Sequence, residues 1–167
     1  MLTDITNYFR GTKSQPYHLS VGAVLVNDKA EIACHHFEKI QGLRELYILV
    51  RETMEPGETI ENTLARGLME EFGAKGDLTS YLGSLTSAFE RDGENIQKTT
   101  LYFLVELKSI DTESRMADDP EKDSQIEWHP AEFLIKKMKV QGAKYKRSDL
   151  DESEILDRFL ATQANRL

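Results

Sequence analysis

The chain has 167 residues, is 40% hydrophobic and carries a formal net charge of -8 at pH 7. This length supports one hydrophobic core, and no Ser-, Gly- or Pro-rich linker divides it, so we predict a single domain over residues 1–167. The negative charge argues against a nucleic acid as partner, the lack of a long apolar run argues against a membrane span, and the single Cys34 with no signal peptide favours a cytoplasmic location.

Short strands are predicted in the N-terminal part of the chain. His18 to Asn27 has strand character, Asn27-Asp28-Lys29 suits a turn, and Glu31 to Phe37 is expected to be the returning strand. The continuous apolar run Leu46 to Val50 is typical of a strand that is buried on both faces. The adjacent His35 and His36 should point to opposite faces, so we expect strand packing and not a shared metal ion.

An acidic helix is predicted after the turn at Pro56-Gly57. Thr59 suits its N-cap, Gly73 suits its C-terminal end, and an apolar stripe follows helical spacing between them. Arg66 precedes Glu70 by one turn and can orient that carboxylate. At about 100° per residue, four positions share an arc beside the stripe. They are Thr63, Gly67, Glu70 and Glu71.

A hairpin, a short strand and two further helices are predicted after this acidic helix. The predicted ranges are residues 78–91 and 97–107 for the hairpin strands, 125–128 for the short strand, and 130–138 and 148–163 for the helices. The pair Asp92-Gly93 suits the hairpin turn, and Ser148 or Asp149 can cap the last helix. Alternation of strands and helices predicts an α/β fold with helices on both sides of a sheet. The polar segment Ser109–Ser124 is expected to be a solvated loop or a lid.

The acidic helix and its loop resemble the Nudix box, G-x5-E-x7-R-E-U-x-E-E-x-G-U, where U is a bulky aliphatic residue. The resemblance covers residues 52–74, about an eighth of the chain. The positions that agree with the pattern are Glu58, Arg66, Leu68, Glu70, Glu71 and Gly73. Three positions differ: Glu52 replaces the first glycine, Gly67 replaces the glutamate after the arginine, and Ala74 replaces the last aliphatic residue.

The resemblance to the Nudix family implies a fold and a reaction. The implied fold is an α/β/α sandwich with a mixed β-sheet. The implied reaction is hydrolysis of a diphosphate linkage in a nucleoside diphosphate derivative, assisted by Mg²⁺ or Mn²⁺. The resemblance makes Glu70 and Glu71 the metal ligands and, together with Arg66, the catalytic residues, while Glu58 and Gly57 belong to the substrate loop. A small-molecule nucleotide is the implied partner, and a homodimer is compatible with it.

Gly67 leaves two hypotheses open, because the family has a metal-binding glutamate at this position. A working hydrolase must recruit a further acid, and the candidates are Glu52, Glu55, Glu94 and the Asp118–Asp123 segment. Alternatively, the chain is a Nudix-fold domain that binds or senses a nucleotide or a protein without hydrolysis.

Gly67→Glu should separate a weakened enzyme from one that already recruits another acid. On a helical wheel the new side chain projects between Glu70 and Glu71. A weakened enzyme should therefore gain hydrolytic activity, whereas an enzyme that already has a further acid should be crowded and slowed.

Overall fold

The structure is a computed structural model that describes residues 17–91, 93–116 and 121–164. Within these residues seven strands form one sheet. They are β1 Tyr17–Val26, β2 Ile32–Ile40, β3 Leu43–Ile48, β4 Val50–Thr53, β5 Ala74–Arg91, β6 Glu94–Ile110 and β7 Gln125–His129. The α-helices of the same residues are α1 Ile60–Gly67, α2 Ala131–Tyr145 and α3 Ser153–Ala164. The predicted α/β class is confirmed.

The sheet is mixed and has the strand order β3-β2-β1-β6-β5, while β4 pairs with β1 and β7 pairs with β2. β1 and β6 are parallel, and the other pairs are antiparallel. Glu52 of β4 lies opposite Val21 of β1, and Lys98 of β6 lies opposite His18 of the same central strand. The topology therefore brings the start of the box and the middle of the chain to one strand. Among the described helices, none is long and apolar enough to cross a bilayer.

Helices cover both faces of the sheet and give two apolar layers. On one face Leu64 of α1 packs with Val21 and Phe103. On the other face Leu134 of α2 and its neighbours from α3 pack with Tyr102. Adjacent strand residues point to opposite faces, so a strand between two helical layers is buried on both. Each fully buried Leu or Phe contributes roughly 1.5–3 kcal/mol to the free energy of unfolding. The two layers confirm the α/β/α sandwich.

Several elements differ from the predicted boundaries because tertiary contacts decide where they end. The apolar run at residues 46–50 is not one strand. It divides into β3 and β4 at Leu49, whose backbone N–H donates to Glu152 Oε2 at 2.8 Å. The last helix begins at Ser153 and not at Ser148, since residues 148–150 form a 3-10 turn. The helix predicted to end at Met138 continues to Tyr145. β6 continues to Ile110, and Asp92 lies outside the described residues.

The box helix begins and ends as predicted but changes its geometry between these points. Thr59 Oγ1 accepts a hydrogen bond from Asn62 N at 3.2 Å, which confirms the N-cap, and Gly73 ends the segment with a φ of 63°. Residues Leu68–Phe72 form a π-helical turn, so the prediction of a continuous α-helix is wrong. Because a π turn has more residues per turn, Glu70 and Glu71 do not keep the angles of an ideal wheel.

Candidate active site

The turn before α1 is closed by the carboxylate of Glu58. Gly57 is exposed and has a φ of 85°, which the third position of a type II turn requires, and Glu58 N donates to Glu55 O at 3.0 Å. Glu58 Oε2 accepts hydrogen bonds from Glu55 N and from Thr63 Oγ1, both at 2.9 Å. One side chain therefore joins the turn to the first turn of the helix.

Arg66 lies among three carboxylates. Its Nε and Nη2 donate to the two oxygens of Glu58 at 2.8 and 2.9 Å, and Nη2 also donates to Thr53 O at 2.9 Å. Its Nη1 lies 3.2 Å from Glu52 Oε1 and 3.5 Å from Glu70 Oε2. The bidentate pair lowers the pKa of Glu58 to about 2, and the same pairing raises the pKa of Arg66. The arginine thus connects Glu70 to the turn.

Glu71 has a different environment, since its side chain is buried. It lies 2.7 Å from His35 Nε2, and His35 Nδ1 lies 2.7 Å from Ser124 Oγ. Burial, with the positive charges of Arg115 and Arg51, lowers the pKa of His35 to about 3, so the ring is neutral near neutral pH. The network is satisfied when Nε2 donates to Glu71 and Nδ1 accepts from the Ser124 hydroxyl, which itself accepts from Arg115 Nη2 at 3.0 Å.

Gly67 is buried against the side chain of Glu52. A Cβ atom at position 67 would lie 2.6 Å from Glu52 Cβ and 3.7 Å from Glu71 Oε1. A side chain at position 67 would therefore have to displace Glu52 before it could project between Glu70 and Glu71, as the helical wheel predicts. Burial raises the pKa of Glu52, with the nearby charge of Glu70 acting in the same direction and Arg66 opposing it.

The carboxylates fit a divalent cation in their chemistry, although other side chains now hold them. Among residues 17–91, 93–116 and 121–164, no three carboxylate, imidazole or thiol groups are grouped closely enough to hold a metal ion. Arg66 contacts Glu70, and His35 contacts Glu71, which keeps these two carboxylates in separate environments. Carboxylate oxygens are the donors that Mg²⁺ and Mn²⁺ prefer, and Gly67 leaves room for a third one from Glu52.

Two cavities lie next to this cluster and share a pair of cations. The smaller cavity, of about 110 Å³, is bordered by Glu71 and His35 as well as by Arg51 and Lys98. The larger, of about 740 Å³, is bordered by the same Arg51 and Lys98. Its other lining residues are Gln41, Ala88, Phe89, Glu90, Lys146, Arg147, Ser148 and Asp149. Arg51 and Lys98 thus line both the cavity next to Glu71 and the cavity that is large enough for a small-molecule ligand.

The side chain of Arg51 is held by long-range contacts, and that of Lys98 differs from it in this respect within the described part of the chain. Arg51 Nη1 donates to Asp149 O at 3.1 Å, and its Nε lies 3.6 Å from Glu152 Oε1. Burial opposes the charge of Arg51, but Glu152 raises its pKa overall. Burial and the charge of Arg51 lower the pKa of Lys98 to about 8. Among the described residues, none forms a hydrogen bond or an ion pair with the Lys98 ammonium group, so its charge is available to an anion.

Comparison with known proteins identifies the family. The NUDIX domain family model matches residues 16–149. The chain belongs to the Nudix family. A protein of Mycobacterium tuberculosis (strain CDC 1551 / Oshkosh) that carries the name mutator protein MutT4 is 29% identical over 91 residues. These residues are 54% of this Nudix chain and 35% of that protein, so the chain spans about a third of the relative's length.

Solved structures share the Nudix fold over most of the chain. The solution structure of the E. coli ORF135 protein has a TM-score of 0.59 at 18% identity and covers 94% of this chain and 98% of that one. A Nudix hydrolase from Nitrosomonas europaea gives 0.62 at 16% identity over 86% and 88%. A MutT protein from Methanosarcina mazei Go1 gives 0.57 at 17% identity over 91% and 99%. At these identities the likeness concerns the fold.

Several acidic residues are candidates to replace the glutamate that this Nudix chain lacks at Gly67. Among those that the structure describes, Glu52 is the one that lies beside Gly67. Glu55 is exposed, and the side chain of Glu94 with Asp118 and Asp119 lies outside the described residues. The described parts of the segment at residues 109–124 are attached to the site. Met116 N donates to Glu70 O at 3.0 Å, for example, and Glu121 borders the smaller cavity.

Proposed function

We propose that this Nudix protein hydrolyses a diphosphate linkage in a nucleoside diphosphate derivative, with Mg²⁺ or Mn²⁺ as its cofactor. One observation carries this proposal: Glu71 of the box borders the same cavity as Arg51 and Lys98. Metal-assisted hydrolysis of a diphosphate uses a carboxylate that can hold a divalent cation, and fixed positive charge stabilises the phosphate oxygens. Both kinds of group face one space here.

The larger cavity suits the remainder of such a substrate. Its volume of about 740 Å³ lies within the roughly 300–1,000 Å³ that is usual for small-molecule sites. Arg147 in its wall is already paired with Asp149, with Nε 3.0 Å from Oδ1. Lys98 has no such partner among the described residues, and with a pKa of about 8 it remains protonated near neutral pH. We therefore assign Lys98, supported by Arg51, to the phosphate groups of the substrate.

The box residues have distinct roles in this proposal. Glu70 and Glu71 would hold the cation, which when bound polarises a phosphoryl oxygen and acidifies the attacking water. Arg66 positions Glu70, and Glu58 fixes Arg66 to the substrate loop whose turn Gly57 permits. His35 fixes the orientation of Glu71 on the other side. This arrangement uses rigid elements to hold the carboxylates.

A substrate panel tests the proposal. Nucleoside diphosphate sugars, dinucleotides and nucleoside triphosphates are incubated with the full chain and Mg²⁺ or Mn²⁺. Hydrolysis is followed by ³¹P NMR, in which phosphate monoester signals replace the diphosphate signals. Binding of nucleotides without hydrolysis of any panel member would contradict the proposal and support the non-hydrolytic alternative.

A matched pair of lysine variants locates the substrate. Lys98→Ala should raise the KM about ten- to a hundredfold, since a hydrogen bond to a charged group contributes about 1.5–3 kcal/mol. Lys108→Ala is the control, because Lys108 lies on the same strand but is exposed and does not border the cavity. Equal KM values for the two variants would show that the substrate does not use this cavity.

A further inference from the structure

We infer that Glu52 supplies the carboxylate that the box lacks at Gly67, so that β4 and α1 have exchanged a glutamate and a glycine. This inference rests on the proposed function and identifies a third acidic residue of the same site. Glu52 stands where the box pattern has its first glycine, and Gly67 stands where the pattern has a glutamate. The exchange therefore leaves the number of box glutamates unchanged and moves one of them from the helix to the sheet.

The space between β4 and α1 admits a side chain from only one of the two positions. A Cβ atom at position 67 would lie 2.6 Å from Glu52 Cβ, a separation that real Cβ contacts essentially never show. Both Cβ positions are fixed by the backbone of a regular element, so neither can move without moving the element. A glycine inside a helix costs roughly 1 kcal/mol relative to alanine. The close approach of Glu52 explains why the helix has a glycine here.

The side chain of Glu52 extends into the region that a residue at position 67 would occupy. Its Cγ lies 3.3 Å from the Cβ position of that residue, and Glu71 Oε1 lies 3.7 Å from the same point. Glu52 Oε1 accepts from Thr53 N at 2.7 Å. Among the described residues, none donates a hydrogen bond to the second oxygen, Oε2. Glu52 thus has one anchored oxygen and one that is available to a ligand.

Arg66 links this carboxylate to the rest of the site. Its Nη1 lies within 3.5 Å of both Glu52 and Glu70, whereas its Nε and Nη2 are bonded to Glu58. A divalent cation that takes oxygens from Glu52 and Glu70 would replace the contacts of a single guanidinium nitrogen. The bidentate pair with Glu58 would remain, so the loop and the helix would keep their positions.

Mn²⁺ binding to the full chain tests the inference without any substrate. Free Mn²⁺ is measured by electron paramagnetic resonance, and calorimetry gives the affinity. Glu52→Gln keeps the volume and removes the charge, and it should weaken Mn²⁺ binding about ten- to a hundredfold, as should Glu70→Gln. Glu55→Gln is the matched control, because Glu55 is exposed and three residues away, and its affinity should equal that of the wild type.

The exchange itself is tested by reversing it. Gly67→Glu alone should lower the melting temperature because of the contact with Glu52, and Glu52→Gly alone should weaken Mn²⁺ binding. The double variant Glu52→Gly/Gly67→Glu removes the contact and restores a carboxylate, so it should bind Mn²⁺ more tightly than Glu52→Gly and melt above Gly67→Glu.

Each outcome has a distinct meaning. Weak Mn²⁺ binding by Glu70→Gln but wild-type binding by Glu52→Gln overturns the inference and leaves the proposed function standing. A double variant that binds no better than Glu52→Gly also overturns it. Wild-type binding by Glu70→Gln, with no hydrolysis of the substrate panel, overturns the proposed function and the inference with it.

Discussion

Two arginines show how differently the box and the cavity are built. Arg66 is 23% exposed at its side chain, and its partners Glu58 and Glu70 come from the same short segment of the chain. Arg51 approaches Glu152, which is 2% exposed and about a hundred residues away in sequence. The first cluster is local and reaches water, and the second is buried and depends on the whole fold. Loss of a partner should therefore cost more in the second cluster.

The largest expected effect is that of Glu152→Ala on stability. Glu152 accepts hydrogen bonds from Leu49 N and Tyr102 Oη and lies near Arg51. Removal of one member of a buried ionic network leaves an uncompensated charge and should lower the free energy of unfolding by about 3–5 kcal/mol. Urea denaturation measures this. Glu154→Ala in the helix that follows Glu152 is the control, since Glu154 is exposed and should change stability by at most about 0.5 kcal/mol.

Arg66→Ala should have a smaller effect on stability and a clear effect on catalysis. It removes charge-assisted hydrogen bonds to Glu58 from a site that water reaches, so a loss of about 1–3 kcal/mol is expected. Turnover should also fall, because Glu70 loses its neighbour. Thermal melting and steady-state kinetics check both results. Wild-type melting and turnover would remove the reason for placing the box at these residues.

The pH dependence of stability should reveal the Glu58 pair. Its pKa of about 2 in the folded chain is below the ordinary value of 4.5, so the pair stabilises the protein above pH 4.5 and this contribution is lost as the pH falls towards 2. The difference in unfolding free energy between the wild type and Glu58→Gln should shrink across this window. In an Arg66→Ala background the same difference should change much less with pH, because only the hydrogen bonds from Glu55 N and Thr63 Oγ1 then favour the charged form of Glu58. A trend as large as that of the wild type would contradict the assignment.

The smallest expected effect concerns anion binding at the cavity. Burial, together with the charge of Arg51, lowers the pKa of Lys98 to about 8, and the charges of Glu152, Glu71 and Asp149 act in the opposite direction. Inorganic pyrophosphate should therefore bind more weakly as the pH rises above about 8, since the ammonium group loses its proton. Calorimetry near pH 7 and pH 9 measures the change. Lys98→Ala should lack the part of it that is due to the lysine, and identical pH profiles would refute the role of Lys98.

Local spacing in the sequence predicts much of the box region. The turn at Gly57, the cap at Thr59 and the end at Gly73 are properties of a few adjacent residues, and the structure has all three. The i,i+4 contact of Arg66 with Glu70 follows from helical geometry in the same way.

Contacts between distant segments could not be predicted in this way. The bond between His35 and Glu71 joins residues 36 positions apart, and no spacing rule announces it. Lys98 reaches the cavity because β6 is parallel to β1. β3 ends next to Leu49, because the backbone N–H of Leu49 donates a hydrogen bond to Glu152 and not to a neighbouring strand. The π turn at Leu68–Phe72 also lacks a local signal in the sequence.

β4 places opposite charges on neighbouring residues that contact different parts of the protein. Arg51 contacts Asp149 and Glu152, and Glu52 contacts Arg66. In a strand, a slip of one residue along β1 would send each side chain to the other face. A slip in one direction would bring Arg51 to Arg66, and a slip in the other direction would bring Glu52 to Glu152. Repulsion between like charges thus opposes a misaligned strand during folding and favours the observed register.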